Sequence, residues 1–292
     1  MSGPAMIGHL VLEKLAHRPL PRIPESELIM QAEHQVAAFA DSGRDQGMLA
    51  YLYLFHAVMA LPVIRPGDTV LDLACGPANQ LMQIARLNPD ARFIGIDASR
   101  SMLTAARAAI DHDPPGNIDL RQADMTFLEG FSPHSVDSVL CTMSLHHLAD
   151  PPALIRCLGQ IRRVLKPGGG LYLADFGRLK RRSTQRYFAY DRQSSQSEQF
   201  TADFLQSMQA AFSLQELHEA VTANGLPASC YSTAMAPFMV VMRSSARRTC
   251  EASVKQRARQ AFAALTPRQQ RDIDNLVRWF ALGGLRLPFA LA

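Results

Sequence analysis

From Gly67 to Phe176 the sequence alternates short, nearly continuous apolar runs with longer amphipathic ones, a texture compatible with few folds. TVLDLA (69–74), RFIGIDA (92–98), IDLRQAD (118–124), VDSVLCTMSL (136–145) and GLYLADF (170–176) read as strands. NQLMQIARLN (79–88), SRSMLTAARAAI (99–110) and the stretch from Pro151 to Leu165 read as helices between them. Strands that are apolar on both faces and separated by helices form a parallel sheet covered on both sides, which binds its ligands at the carboxyl ends of the strands. KPGGG (166–170) lacks the spacing and the closing Lys-Ser or Lys-Thr of a phosphate loop and reads as a tight turn before the fifth strand. Farther on, SLQELHEAVTANGL is a helix framed by Ser213, Glu216 and Asn224-Gly225, and SCYSTAMA with PFMVVMRS reads as a closing pair of strands.

Helical patterns flank this unit on both sides. ESELIMQAEHQVAAFA (25–40) and QGMLAYLYLFHAVMAL (46–61) carry apolar residues at three- and four-residue spacing, so two helices are expected before the sheet. Past the strands the chain is helical again, with a capping box at Thr266-Pro267-Arg268-Gln269. The expected organisation is accessory helices over 1–62, a ligand-binding unit over 63–245 with a lid insertion at 178–210, and a helical extension over 246–292. The terminal helices are expected to pack on one another or, through an apolar face, on a twin chain in a homodimer.

With 292 residues, 48% hydrophobic and 19% charged, the chain buries a full core. A net charge of +4, with no run of five or six basic residues, gives no dedicated nucleic-acid surface. DPPAL (150–154) also lacks the aromatic residue of an N/D-P-P-Y stretch that would hold an extruded base. The five cysteines form no C-x-x-C pair, so neither a metal site nor a disulfide framework is expected, and a reducing cytoplasm fits. No leader pattern opens the chain and no eighteen apolar residues run together, so no membrane association is expected.

Chemistry concentrates in LDLACGPANQ (71–80), where a strand turns into a helix. A pyrophosphate at such a turn requires close backbone approach and free N–H groups. Here Pro77 has no N–H, Ala78 stands where a second glycine would be, and Asp72 would repel a phosphate but attract an ammonium or sulfonium. Asp97 ends the next strand, twenty-one residues after Gly76, where a carboxylate accepts from both ribose hydroxyls. Asp124 ends the third strand, placed to accept from an adenine amino group with the Met125 N–H free for a ring nitrogen. Three acidic strand ends make one nucleoside pocket.

The ordered set LDLACGP, IGIDASRSM, QADM, SLHHLADPPAL and VLKPGGGLYLADF resembles the class I S-adenosylmethionine-dependent methyltransferases, in particular the small-molecule branch with an LHHL stretch, over Pro66 to Ser244. The resemblance implies a Rossmann-like, doubly wound α/β fold whose seven-stranded, mainly parallel sheet has an antiparallel last strand. It further implies S-adenosylmethionine as cofactor, with Asp72 and the turn Ala74, Cys75 and Gly76 at its methionine part. Asp97 and Ala98 would meet the ribose, Met102 the adenine face, and Asp124 and Met125 the adenine edge. Cys141, Thr142 and Met143 would form the floor near the sulfur.

Methyl transfer is an in-line displacement that depends first on alignment, and a base is optional. His146, in the LHHL stretch, is the candidate catalytic base for a hydroxyl or a protonated amine; His147 is a weaker one. Arg178, Lys180, Arg181, Arg182, Arg186 and Arg192, interleaved with Tyr187, Phe188 and Tyr190, suggest an anionic or aromatic acceptor, a small organic molecule or a peptide. Tyr51, Tyr53 and His56 are within reach of the pocket if the N-terminal helices roof it. Two rival readings are an NAD-dependent oxidoreductase, opposed by Asp72, Pro77 and Ala78, and a non-catalytic relative that keeps the pocket to bind a partner.

Overall fold

A computed structural model of the chain describes residues 4–42, 47–191 and 196–292. Seven strands form one sheet in the order β3-β2-β1-β4-β5-β7-β6. They are β1 (Thr69–Leu73), β2 (Arg92–Asp97), β3 (Ile118–Gln122), β4 (Val136–Thr142), β5 (Leu165–Phe176), β6 (Ala228–Ser232) and β7 (Met239–Ser244). All neighbours are parallel except β7, which runs antiparallel to both β5 and β6. The order reverses between β1 and β4, so the crevice beyond their carboxyl ends is the place such a sheet offers a ligand.

Helices α4 (Asn79–Leu87), α5 (Arg100–His112), α6 (Pro151–Val164) and α9 (Leu214–Ala223) connect the strands. Their starts are chemically specified. Ser99 accepts from the Met102 N–H at α5, Asp150 from the Ala153 N–H at α6, and Ser213 with Glu216 completes a reciprocal capping box at α9. Between β5 and α9 lie α7 (Arg182–Tyr190) and α8 (Glu198–Ala210).

The expected tight turn at KPGGG is part of a strand. β5 begins at Leu165, and its register against β4 slips between Val136 and Ser138 to absorb the extra residues. The glycines serve close packing: a Cβ on Gly170 would stand 2.0 Å from the Val63 carbonyl oxygen. Gly170→Ala is therefore expected to destabilise the fold by about 3 kcal/mol, whereas Gly8→Ala, with nothing within 4 Å of the new methyl, should not. Calorimetric melting of the two variants side by side checks this.

The N-terminal region differs from expectation. A helix α1 (Pro4–Leu15), unread in the sequence, packs Met6 and Leu10 beneath Phe176 and Phe188. The helix expected over 25–40 starts only at Glu33, as α2 (Glu33–Ser42), and residues 16–32 form an irregular strap. Next, α3 (Ala50–Ala60) is apolar all round and correspondingly buried, packed against α4, α10 (Ala252–Ala264) and α11 (Pro267–Leu282). Phe55 stacks on Phe280 with ring centroids 5.4 Å apart. The C-terminal extension is pinned by Arg247, whose guanidinium meets Asp68, the Ser138 hydroxyl and the Val63 carbonyl. Among the described residues no helix is long and apolar enough to cross a membrane.

Candidate active site

A cavity of about 700 Å³ opens at the carboxyl ends of β1, β2 and β4. Its first wall is the turn LDLACGPANQ, in which Ala74, Gly76 and Ala78 all have positive φ, at 51°, 54° and 62°. For an alanine the left-handed region costs roughly 1–2 kcal/mol. At Ala78 the cost is offset because the methyl group is fully buried in the core. Alanine thus takes the backbone conformation that a glycine would adopt, and the turn forms without it.

Asp97 ties this turn to the next. One carboxylate oxygen accepts from the Gly76 N–H at 2.9 Å and the other from the Ser99 N–H at 2.8 Å. Burial raises its pKa, opposed by those two N–H groups. Asp72 is 4% exposed, and burial together with the charge of Asp97 pushes its pKa up to about 8. Among the described residues no lysine or arginine forms an ion pair with it. Two buried carboxylates with no cation of the protein's own are a donor set fitted to a positively charged ligand bearing a diol.

Every position assigned to the cofactor lines this cavity except Cys141. That residue is fully buried, packed with Cys157 of α6 on the other face of the sheet. Side chains alternate along a strand, so with Thr142 facing the cavity Cys141 faces away. Asp124 is exposed at the rim and accepts from the Thr126 N–H and hydroxyl, both at 2.7 Å. Tyr51 and Tyr53 line the cavity, but His56 does not. His56 is buried, meets the Tyr172 hydroxyl at 2.7 Å, and is pushed down to about 3 by burial, hence neutral.

His146 sits in a short 3-10 turn after β4, 3% exposed. Its N–H and its ring Nδ1 both meet the carboxylate of Asp175, at 2.8 and 2.7 Å. Burial lowers the imidazole pKa, but the charge and hydrogen bond of Asp175, with the charge of Glu25, outweigh it, and the net shift is upward. That arrangement leaves Nε2 turned towards Glu25 Oε1, 4.0 Å away. His147 Nδ1 meets the other Glu25 oxygen at 2.5 Å, and the Ser207 hydroxyl donates to Glu25 at 2.9 Å. The ligand atoms of Glu25, His146 and His147 lie within 4.8 Å of one another, and Glu25 is hydrogen-bonded to His147 and Ser207.

The strap places Glu25 there. Arg22 donates to the carbonyls of His146, Leu148, Ala149 and Ala210 and lies over the Phe212 ring. At the other end the hydroxyls of Ser99 and Ser101 donate to the carbonyls of Met30 and Gln31. Leu28, Ile29 and Met30 therefore cross the cavity mouth.

The basic residues of the expected lid do not face this space. Arg178 pairs with Glu216, Lys180 donates to the Ala16 carbonyl, the N–H groups of Lys180 and Arg181 meet Glu13, and Arg186 lies over Tyr190. Tyr187 stacks on His9, and only Phe188 of that set of aromatics reaches the cavity. Arg192 lies outside the described residues. Of the charges that suggested an anionic acceptor, those of Arg178 and Lys180 meet groups outside the cavity, and none of the described basic residues of the lid lines it.

A family model described as a methyltransferase domain matches residues 64–225, more than half of the chain. A ubiquinone/menaquinone biosynthesis C-methyltransferase of Cellvibrio japonicus is 30% identical over 173 residues, 57% of this chain and 68% of that protein. A probable methyltransferase of Aspergillus luteorubrus is 34% identical over 127 residues, 41% of this chain, which spans 44% of that relative's length. Among solved structures, a SAM-dependent methyltransferase from Aquifex aeolicus superposes with a TM-score of 0.53 at 15% identity, covering 73% of this chain and 99% of its own. The plantazolicin methyltransferase BpumL, solved with a substrate analogue and S-adenosylhomocysteine, gives 0.52 at 16% identity over 73% of this chain and 90% of its own. The chain belongs to the methyltransferase domain family and shares the fold of the S-adenosylmethionine-dependent methyltransferase structures.

Proposed function

We propose that this chain transfers the methyl group of S-adenosylmethionine to a hydroxyl or amine of a small organic acceptor, with His146 taking the proton. The observation that carries this reading is the meeting, in one cavity, of Asp72 and Asp97, neither in an ion pair with a lysine or arginine among the described residues, with His146, whose ring Asp175 holds. When bound, the cofactor supplies an electrophilic methyl group on a sulfonium. Asp97 would exchange its N–H partners for the ribose hydroxyls, Asp72 would offset the positive charge, and Met102 and Met125 would flank the adenine. Asp175 fixes the His146 ring through Nδ1, so that Nε2 is the atom presented to the acceptor. Nε2 of His146 would take the proton that the acceptor's hydroxyl or amine gives up on methylation, and Asp175 would stabilise the imidazolium formed.

The quinone-biosynthesis names among the relatives support a small-molecule acceptor. Calorimetry should give saturable binding of S-adenosylhomocysteine and none of NAD. Methyl-labelled cofactor should then mark at least one member of a panel of phenols and amines. Preferential NAD binding would discard the reading, and cofactor binding without any labelled acceptor would favour a partner-binding module.

A further inference from the structure

We infer that the acceptor subsite is built for a compact aromatic or polycyclic molecule carrying a positively charged nitrogen. The inference rests on the methyl-transfer reading above and names the class of its second substrate. Two observations support it, one of shape and one of charge.

The half of the cavity beyond His146 is walled by phenylalanine rings from three separate parts of the chain. Phe176 ends β5, Phe238 precedes β7, and Phe188, Phe200 and Phe204 come from α7 and α8. Phe176 stands 5.3 Å from Phe204 and 5.9 Å from Phe238, and Phe188 stacks on Phe238 at 4.3 Å between centroids. His146 abuts the same cluster, 5.6 Å from Phe176. A cluster of rings around the proton acceptor selects a flat apolar body, and ring faces carry the negative end of a quadrupole that attracts cations.

Acidic side chains predominate among the described residues of these walls. Among the described lining residues there are seven carboxylates and one arginine, Arg156. Asp72, Asp97 and Asp124 are assigned to the cofactor; Glu25 and Asp203 stand on the side of α8, where the Ser207 hydroxyl donates to Glu25 and the Glu25 charge acts on Asp203. The cavity face of α8 reads Phe200, Asp203, Phe204, Ser207, a three- and four-residue spacing that sets a carboxylate between two rings and beside the hydroxyl that holds Glu25. Asp203 has a raised pKa through burial, a Gln199 hydrogen bond acting against the shift and the charge of Glu25 adding to it, so the two acids act on one another in this space. An anionic acceptor would be repelled there, whereas an ammonium would be held by Asp203 and Glu25 over a ring face.

The test uses three probes with one ring system: tryptamine, tryptophol and indole-3-propionate, titrated into the full-length protein saturated with S-adenosylhomocysteine. The expected result is that tryptamine binds at least tenfold more tightly than indole-3-propionate, with tryptophol between them. Asp203→Asn, nearly isosteric, should reduce that preference at least fivefold while the S-adenosylhomocysteine affinity stays within twofold. Equal or stronger binding of the carboxylate, no binding of the amine up to millimolar concentration, or an unchanged preference in Asp203→Asn overturns the inference. Because cofactor binding is measured first, its failure would strike the methyl-transfer reading and is distinguished from failure of the acceptor class.

Discussion

Replacing Asp97 with alanine is expected to remove measurable binding of S-adenosylhomocysteine while leaving the far-ultraviolet circular dichroism unchanged. The carboxylate would accept from two ribose hydroxyls, and hydrogen bonds to a charged group are each worth about 1.5–3 kcal/mol, so the loss is on the order of 10²- to 10⁴-fold in affinity. In the ligand-free chain the same oxygens hold the N–H groups of Gly76 and Ser99, so the side chain also keeps the turn after β1 and the start of α5 in register. Asp97→Asn keeps an acceptor for one of them but presents an amide donor to the other, and should fall between the two. Near-normal affinity in Asp97→Ala, by calorimetry, would count decisively against the assigned pocket.

His146→Ala is expected to lower the rate constant for methyl transfer by about 10²- to 10⁴-fold, the usual span for loss of a positioned base, with cofactor affinity preserved. The pH dependence follows from the direction of the His146 shift. Only the neutral imidazole accepts a proton, so activity should rise with pH and level off above a midpoint higher than the ordinary histidine value. Stability runs the other way. A histidine whose pKa is raised on folding contributes stability fully below its unfolded value near 6.5 and loses it as pH climbs through the folded value. Asp175→Asn removes the charge that outweighs burial, so its activity midpoint should move to lower pH. A rate profile indifferent to both substitutions would remove His146 from the chemistry.

Much of this architecture was written in hydrophobic patterning, because strands buried on both faces need unbroken apolar runs and the acids that interrupt them stand out. Asp72 and Asp97 are conspicuous for that reason. Asp175 occupies the same kind of position near the end of β5 and was legible by the same rule, though the sequence reading passed over it. Period-two alternation would likewise have turned Cys141 away from the cavity once Thr142 was placed in it. The strap was not legible. The apolar side chains of Leu28, Ile29 and Met30 mimic the seam of a helix but line a cavity, and no local signal marks Glu25 as the partner of histidines more than a hundred residues away. Nor does a run of basic residues reveal that Arg178 pairs with Glu216 and Lys180 with the Ala16 carbonyl, away from the cavity.

The strap is fastened at both ends by polar clasps and has no regular structure between them. The hydrogen bonds that fasten it run to helices, turns and loops, none of them to a strand of the sheet. The three apolar residues over the opening are free of any duty to the core, so substitutions among them would redraw which guests are admitted at little expense to the stability of their host.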